Sequence, residues 1–440
     1  MKRTIRLLLI TDEVWNDQMY PNNNMTNWFT DFDNIEIANI YCSEGIPDNK
    51  CCSQYYQITD KMMLFSLLGR GKAGIGFEKS HEENIDNTDV SNVKPSAFKR
   101  IVDKISSTHS DIFRLIRDCI WLFGKYDIKG MTKFIKEFAP DLIFTQRVGS
   151  VKLCRLERVI KKIAGCPMLA LTGDNEYSLK MINFSPFFWI RRLMVHNALN
   201  KTIPYYDMYY TSSQEQADIY NKKFNIPTAL MFKCGKPDHS IVHKSVHSPI
   251  RIVYVGKLYC GRWKTLAMLG DAVKKVNCNE VKVIIEIYTR DKVTKKQEKF
   301  LNDGRNIMIK GAADPKRLSE IYKKNDIVLH VESLDFINRL ITQHSYSTKV
   351  VDCLSSGCAV MAIGWKKHSA CIELKKNNAA LIATTKKEVR DLIQEISKNP
   401  NVITKYAKQA MNDVEENHSR NKIQEQLYDD FLRISKRGES

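Results

Sequence analysis

Three cations follow an apolar run in the second half of the chain. The run Arg251–Gly256 predicts a buried parallel strand, and the next loop contains Lys257, Arg262 and Lys264 before a predicted helix. Ligands of parallel α/β sheets bind at the carboxyl ends of the strands, where helix amino termini face phosphate groups. Arg262 can make two parallel hydrogen bonds to a phosphate, and Lys264 supplies a point charge. The loop therefore predicts a diphosphate site, with a solvated basic loop as the alternative.

A second polar segment follows the predicted strand Asp326–Val331. Its residues of chemical interest are Glu332, Ser347, Thr348, Lys349 and Asp352. Ser347 and Thr348 lie where a helix is predicted to begin, so that their amides and hydroxyls can meet phosphate oxygens. Lys349 adds a cation, and Asp352, about one turn further on, can accept hydrogen bonds from ribose hydroxyls. The two segments together indicate a nucleotide site.

Short apolar runs alternate with longer stretches of helical periodicity in both halves of the chain. The predicted strands of the first half are Ile5–Thr11, Ile35–Tyr41, Leu142–Gln146, Met168–Thr172 and Met208–Thr211. The predicted helices there are Phe98–Phe123, Thr132–Phe138, Val151–Ala164 and one from a capping box at Ser213–Gln216 to about Phe224. The second half adds strands at Val281–Tyr288, Asn306–Lys310, Ala359–Ile363 and Ala380–Ala383, and a helix that begins at Asp314-Pro315. This alternation predicts parallel sheets with helices on both faces.

A chain of 440 residues is too long to fold around a single hydrophobic core and suits two domains of roughly 200 residues each. A linker is predicted around Cys234–Pro249. We therefore predict an α/β protein with two Rossmann-like doubly wound domains, 1–240 and 250–400, that face each other across a cleft. Charged amphipathic stretches predict a helical tail, 401–440, that packs back on the first domain.

These features resemble the carboxyl-terminal domain of the retaining glycosyltransferases of family four, which have the GT-B fold. The resemblance rests on the strand, glycine and basic loop around Gly256, on Asp326 at the head of a strand, and on Asp352 ahead of a Ser-Gly pair. The segment Ser345–Asp352 resembles the branch that builds bacterial capsules and other surface polysaccharides. The resemblance covers roughly Arg251–Ser397 and is looser in the first half.

The resemblance implies transfer of a sugar from a nucleoside diphosphate sugar to an acceptor hydroxyl, with retention of configuration and without a metal or cofactor. Charge develops on the departing diphosphate, so preorganised cations and amides are the main catalytic requirement. Arg262, Lys264 and Lys349 are the predicted catalytic cations. The predicted donor-binding residues are Gly256, Lys257, Glu332, Ser347, Thr348 and Asp352.

The chain departs from the family pattern at its acidic motif. The family has two glutamates eight positions apart, and here His344 and Asp352 occupy those positions. The resemblance therefore passes the ribose contact to Asp352. Whether His344 or Glu332 takes the place of the first glutamate stays open.

In the first half the resemblance implies an acceptor-binding domain. One counterpart is the loop that enters the predicted helix Asn24–Phe32, and the other follows the fourth predicted strand. Amides near Asn24 and Thr26 can contact the diphosphate, while Asp174, which we place among the catalytic residues, and Glu176 can orient the acceptor hydroxyl. Turn formation and helix capping are the alternative for all four residues.

The net charge of +18 and a pI of about 9.2 favour anionic partners. Basic and aromatic residues are interleaved in Lys94–Lys136, and Phe184–Leu193 repeats the pattern. Such a surface suits anionic lipid, whereas buried aromatic residues with solvated cations are the alternative. Residues 1–13 do not match a secretory signal, and no run reaches the roughly 18 apolar residues of a spanning helix. We therefore expect a bacterial cytoplasmic protein, peripheral on the inner face of the cell membrane, with a saccharide acceptor that is lipid-linked.

Three further patterns are not expected to form functional sites. Gly69–Gly74 fits G-x-G-x-x-G, but the polar stretch after it lacks the periodicity of the helix that a dinucleotide fingerprint needs. His239, His243 and His247 have helical spacing but lie between prolines in the predicted linker, so a metal site is not expected. The 12 cysteines form no C-x-x-C pair and are expected to be reduced and mostly buried.

Two other functions stay open at this level. A nucleotide-sugar epimerase uses a similar two-domain cleft but has no need of a basic aromatic surface. The net charge, taken by itself, would also suit a nucleic-acid-binding protein. No nucleic-acid module is recognised, so nucleic acid is not an expected partner.

Overall fold

The computed structural model describes residues 3–20, 23–79, 111–237, 245–314 and 317–436. The chain divides into two compact units. Unit 1 comprises Met1–Met231 and Gln424–Ser440, and unit 2 comprises Phe232–Ile423. Parts of several predictions lie outside the described residues, namely Asn22, residues 80–110 of the polar and basic stretches, His239, His243 and Pro315.

Unit 1 is built on an eight-stranded sheet in the order β4-β3-β2-β1-β5-β6-β7-β8. Its strands are β1 (Ile5–Thr11), β2 (Ile35–Tyr41), β3 (Gln54–Gln57), β4 (Ile75–Glu78), β5 (Leu142–Arg147), β6 (Met168–Thr172), β7 (Met208–Thr211) and β8 (Thr228–Leu230). All neighbours pair in parallel except β3 and β4. In register, Ile5 lies opposite Ile35 on β2 and Leu7 opposite Leu142 on β5.

The helices of unit 1 cover its sheet and end where the sequence supplies caps. They are α1 (Asn24–Phe29), α2 (Asp60–Leu67), α3 (Asp111–Phe123), α4 (Ile128–Phe138), α5 (Val151–Ala164), α6 (Pro186–Thr202) and α7 (Gln214–Phe224), with a 3₁₀ turn at Ile203–Tyr205. Helix α5 shows why the boundaries were readable. Ser150 accepts a hydrogen bond from the Leu153 amide at its start, and Gly165 with φ of 70° ends it.

Unit 2 is built on a six-stranded parallel sheet in the order β11-β10-β9-β12-β13-β14. The strands are β9 (Ile250–Val255), β10 (Val283–Tyr288), β11 (Ile307–Gly311), β12 (Ile327–Val331), β13 (Ala359–Ile363) and β14 (Leu381–Ala383). The helices are α8 (Arg262–Val276), α9 (Lys295–Leu301), α10 (Leu318–Lys323), α11 (Phe336–Thr342), α12 (Lys349–Leu354), α13 (Ser369–Lys376), α14 (Lys386–Lys398) and α15 (Asn401–Asn417). The order places β9 and β12 side by side at the centre of the sheet.

The last helix, α16 (Arg420–Ser435), returns the chain to unit 1. The Tyr428 hydroxyl donates to the Arg3 carbonyl at 2.9 Å, and the Tyr210 hydroxyl donates to Asp430 at 2.9 Å. Helix α16 is therefore bonded to β7 and to Arg3, two residues before β1.

The central strands are buried on both faces. On β9, Ile252 and Tyr254 belong to one hydrophobic cluster of unit 2, whereas Val253 belongs to the cluster on the opposite face. Every residue of β12 and β13 is buried. This two-sided burial explains why these strands read as continuous apolar runs in the sequence.

Every strand that the sequence predicts is present within one or two residues of its expected bounds, and the fold class is confirmed for each unit. The sequence missed β3, β4 and β8, which lie at sheet edges or next to them, and it missed the helices α2, α6 and α11. The Ser213 capping box is half formed. Ser213 accepts from the Gln216 amide, but the Gln216 side chain donates to the Asp174 carbonyl instead. No helix follows Gly69–Gly74, since β4 begins at Ile75.

The 12 cysteines all lie in the described ranges, where none forms a disulfide, and seven of them are buried. His247 Nδ1 lies 2.8 Å from the carboxylate of Asp326, the residue before β12. Within the ranges given above, no group of side chains suits a metal ion. Among the helices of those ranges, none combines the length and the apolar character needed to cross a bilayer.

Candidate functional site

A pocket of about 240 Å³ opens in unit 2 at the carboxyl ends of β9 and β12. Its walls come from the ends of those strands, the basic loop after β9 and the start of α12. The lining residues are Tyr254, Val255, Lys257, Tyr259, Arg262, Leu329, His330, Val331, Glu332, Ser347, Lys349 and Cys353. The structure therefore brings together Lys257, Arg262, Glu332, Ser347 and Lys349, which the sequence had assigned to one site from two separate segments.

The basic loop after β9 is held in one shape by contacts to its backbone. The Tyr254 hydroxyl donates to the Lys257 carbonyl at 2.6 Å. A Cβ atom on Gly256 would lie 2.7 Å from that hydroxyl and 3.2 Å from Lys349 Nζ, so only glycine lets the chain pass here. Gly261 has φ of 74°, and a Cβ atom there would lie 2.6 Å from both Asp335 Oδ2 and Ser333 Oγ. The loop is thus closely packed against the segment that follows β12.

Arg262 and Glu332 form a mostly buried ion pair inside the pocket. Arg262 Nη2 lies 2.6 Å from Glu332 Oε1, and Arg262 Nε lies 3.2 Å from Glu332 Oε2. Burial acts to lower the pKa of Arg262, but the attraction of Glu332 outweighs burial and raises it. The guanidinium stays charged, and the facing carboxylate neutralises it.

Lys349 supplies a positive charge that no such partner balances. It is the first residue of α12, and no carboxylate of the described chain segments lies within ion-pair distance of its Nζ. Burial, and after it the repulsion of Arg262 and Lys257, lowers the pKa of Lys349. Lys257 has its ammonium 5.6 Å from the Tyr259 ring centre. The pocket therefore has two ammonium groups in excess of its carboxylate.

Four predicted donor-site residues do not line this pocket, namely Gly256, Lys264, Thr348 and Asp352. Lys264 extends to 3.9 Å from Asp335 and is mostly exposed. Thr348 precedes α12 and makes no side-chain cap. Asp352 is held by Lys233, whose Nζ lies 2.6 Å from Asp352 Oδ1 and whose side chain is buried. The ribose contact of Asp352 stays a prediction, as does the question of the first glutamate, although Glu332 lines the pocket and His344 does not.

In unit 1 the structure commits Thr26 to internal contacts. The Trp15 indole donates to the Thr26 hydroxyl at 2.7 Å, and that hydroxyl in turn donates to Asp17. Asn24 is the first residue of α1, and the cap of that helix is Asn23, which accepts from the Met25 amide at 2.9 Å. For Thr26 these contacts favour the structural alternative over a ligand contact.

Glu176 lies in the interior of unit 1, with 3% of its surface exposed. Its Oε1 accepts from Arg147 Nε at 3.1 Å and from the Tyr209 hydroxyl, while Arg147 also pairs with the buried Glu157. This network favours a structural role for Glu176. Asp174 is exposed just before it, and its carbonyl accepts from the Gln216 side chain at 2.8 Å. The catalytic role of Asp174 stays a prediction.

Sequence reasoning missed four residues that shape the site. Tyr254 and Tyr259 lie in or beside the predicted strand and loop, and Lys233 lies in the predicted linker region. His330 is the one polar residue of the run Ile327–Val331. That interruption of an apolar strand was a readable signal for His330, whereas the pairing of Lys233 with a residue 119 positions away was not.

Comparisons with known proteins agree with this arrangement. Residues 267–429 match the model of a family described as glycosyl transferase-like. No curated protein matches the chain. Among solved structures, the α,α-trehalose-phosphate synthase (UDP-forming) of Burkholderia vietnamiensis has a TM-score of 0.56 at 8% identity over 98% of this chain and 100% of its own.

Two further structures show the same likeness. The HepE protein of Anabaena in complex with UDP and glucose has a TM-score of 0.58 at 12% identity, covering 98% of this chain and 100% of its own. The sucrose-phosphate synthase of Thermosynechococcus elongatus has a TM-score of 0.57 at 11% identity, covering 98% and 99%. At these identities the likeness shows the fold, which is of the GT-B class.

Proposed function

We propose that the protein is a glycosyltransferase that moves a sugar from a nucleoside diphosphate sugar to an acceptor hydroxyl. The observation that carries the proposal is the unbalanced ammonium of Lys349, which lines a pocket at the carboxyl ends of β9 and β12 beside Lys257. A diphosphate supplies the negative charge that this pocket lacks. The match of residues 267–429 and the GT-B fold support the same activity.

The charges of the pocket suit the chemistry of a departing diphosphate. Lys349 and Lys257 would stabilise the charge that develops on the leaving oxygen, and Ser347 would donate a hydrogen bond. Removing one preorganised donor of this kind costs about 3 kcal/mol in the barrier, or on the order of a hundredfold in rate. Retention of configuration and independence from metal belong to the proposal because the family resemblance implies them. A leaving-group oxygen would itself take the acceptor proton.

Thermal unfolding with UDP, GDP, ADP and CMP tests the donor site. A nucleotide at a hundred times its dissociation constant adds about 2.7 kcal/mol to the free energy of unfolding. We expect one nucleoside diphosphate to stabilise the protein, and Lys349→Ala to lose most of that effect. Lys310→Ala is the matched control, since Lys310 pairs with Glu286 at 3.4 Å and does not line the pocket.

A complete lack of stabilisation by any of the four nucleotides would contradict the proposal. Incubation of the protein with a nucleotide sugar alone separates a transferase from an epimerase. A transferase leaves the sugar configuration unchanged until an acceptor is added, whereas an epimerase converts the sugar without one.

We further propose that the acceptor is a lipid-linked saccharide and that unit 1 binds an anionic membrane surface. Helices α3 and α6 pack together, with Arg191 Nε 2.7 Å from the buried Asp118. The exposed apolar residues beside this contact, which we name the α3–α6 face, are Ile116 (38% exposed), Phe123 (68%), Phe184 (92%), Phe187 (41%), Ile190 (48%) and Leu193 (48%). Trp121 and Tyr126 of the same sequence stretch are buried, as the alternative expected. The membrane proposal therefore rests on the exposed residues only.

Cations accompany the α3–α6 face. Burial and then the repulsion of Arg191 and Arg117 lower the pKa of Arg114, while Asp111 and Asp118 act in the opposite direction. Anionic headgroups would relieve that repulsion while the apolar side chains enter the interface.

Flotation with lipid vesicles tests the membrane proposal. We expect the protein to float with phosphatidylglycerol vesicles at low salt and not with phosphatidylcholine vesicles. Burial of two Phe side chains is worth a few kcal/mol, so Phe123→Ser/Phe184→Ser should weaken binding about tenfold or more. Phe300→Ser is the control, because Phe300 is 45% exposed but lies in unit 2. Equal binding by both variants would overturn the assignment of this face.

A further inference from the structure

His330 is a polar residue in a strand that is otherwise apolar. It is the fourth of the five residues of β12 and has 5% of its surface exposed. His330 is one of the residues that line the pocket, together with Arg262, Glu332 and Lys349. A buried polar ring destabilises the fold unless a hydrogen bond satisfies it, so its presence here calls for a partner.

The surrounding protein does not provide that partner. His330 Nε2 is buried and has no hydrogen-bond partner among the described residues. The ring of His368 has its centre 6.0 Å from that of His330. The Nδ1 atom of His368 accepts from the Ala370 amide at the start of α13, so that ring is already oriented by its own helix. His330 Nε2 thus lacks a protein partner among the described residues, in a residue that lines a pocket.

The charges that face His330 come from three elements and the loops beside them. They are Glu332 after its own strand, Arg262 at the start of α8, Lys349 at the start of α12, and the ring of His368. Burial, together with the repulsion of His368 and the two cations and in spite of Glu332, lowers the pKa of His330 to about 4. The ring is thus neutral in the empty pocket. A dianion placed beside it would offset the repulsion of the two cations and favour the imidazolium.

We propose that His330 is a ligand-contacting residue of this pocket, which donates a hydrogen bond to the diphosphate of the bound nucleotide sugar and takes up one proton from solvent when that dianion binds. The proposal rests on the proposed function and adds to it a residue and a proton-coupled binding step. The proton bonds to the free ring nitrogen, and no other bond forms or breaks. Binding of the nucleotide sugar would therefore strengthen as the pH falls from 7 to 5.5.

Calorimetric titration with a nucleotide sugar tests the proposal. The sugar conjugate of whichever nucleotide stabilises the protein is the probe, since its doubly esterified diphosphate has no proton to exchange near pH 5.5. Titrations at pH 5.5 in buffers of different ionisation enthalpy give the number of protons taken up. We expect the wild-type protein to take up a measurable fraction of one proton, and His330→Asn to take up none.

His330→Leu removes the hydrogen bond as well as the titration, and should weaken binding about tenfold. His418→Asn is the matched control. His418 is also a buried histidine of unit 2 whose ring nitrogens have no partner among the described residues, but it does not line the pocket. Thermal unfolding of each variant without ligand shows that it is folded.

The outcomes separate the two proposals. Proton uptake that persists in His330→Asn, or unchanged affinity in His330→Leu, overturns the role of His330 and leaves the proposed function standing. Failure of the wild-type protein to bind any nucleotide sugar overturns the proposed function itself, and the role of His330 with it.

Discussion

At the scale of single residues, the charge of the pocket depends on one carboxylate. Glu332 holds Arg262 through two hydrogen bonds, so one of the three predicted catalytic cations is already neutralised. Lys349, which the same reasoning treated as one cation among three, is the group left without a counter-charge. The difference lies in a contact between residues 70 positions apart in the chain.

Glu332→Gln should therefore tighten the binding of UDP or whichever nucleoside diphosphate binds. The substitution frees the Arg262 charge for the ligand, and one added unit charge at close range is worth on the order of tenfold in affinity. It should also lower the melting temperature without ligand, because a mostly buried guanidinium loses its partner. Glu286→Gln is the control, since Glu286 pairs with Lys310 at 3.4 Å and does not line the pocket. Weaker binding by Glu332→Gln would instead make Glu332 a direct contact of the ligand.

At the scale of elements, the site depends on how the loop after β9 is held against the segment after β12. Gly261 makes this contact with φ of 74°. A Cβ atom on this residue would lie within 2.8 Å of side-chain atoms of Asp335, Ser333 and Asn338. The loop carries Lys257 and leads into Arg262, so its position fixes two cations of the pocket. Close packing of two loops, more than the strands themselves, sets the geometry of the site.

Gly261→Ala should destabilise unit 2 and weaken nucleotide binding together. A left-handed alanine costs roughly 1–2 kcal/mol, and the steric overlap adds to that cost and displaces the loop. Gly304→Ala is a matched control, because Gly304 has φ of 73° but nothing lies within 4 Å of its Cβ position. Denaturant unfolding and nucleotide titration of both variants give the comparison. If Gly261→Ala behaves like Gly304→Ala in both measurements, the loop contact does not position the site.

At the scale of the whole molecule, buried histidines couple stability to pH. Burial lowers the pKa of His330, His368 and His418 to about 4 each. Their pKa in the unfolded chain is near 6.5, so between these values the unfolded state binds more protons than the folded state. The stabilising effect of the neutral rings is complete above about pH 6.5 and is lost as the pH falls toward 4. Each ring contributes a slope of about 1.4 kcal/mol per pH unit in that window.

Comparison of the wild-type protein with His418→Gln isolates one of these rings. The difference in the free energy of unfolding between the two proteins should be constant above pH 7. Below about pH 6.5 it should shift by about 1.4 kcal/mol per pH unit in favour of the variant, which has no ring to protonate on unfolding. Urea unfolding from pH 7.5 to 4.5 measures the difference. A difference that does not change with pH would show that His418 titrates alike in both states.

Part of the candidate site could be predicted from the sequence, and part could not. Lys257, Arg262, Glu332, Ser347 and Lys349 were predictable because each follows a strand or begins a helix, and β9 and β12 are neighbours in the sheet. Lys264 and Asp352 lie on the same elements, but their side chains extend elsewhere, to Asp335 and Lys233. Element positions can be inferred from local patterns, whereas the direction of a long side chain depends on its partners.

The sequence by itself determined the alternation of strands and helices, because a parallel strand buried on both faces must be a continuous apolar run. It also located the two polar segments that meet at the pocket. Only the tertiary structure decided which charges remain unbalanced there, which acidic residues are buried in ion pairs, as Glu176 is with Arg147, and which aromatic residues reach the surface. These properties depend on contacts between residues far apart in the chain. Burial and pairing set the energy of a charge, and neither is encoded in the local pattern around it.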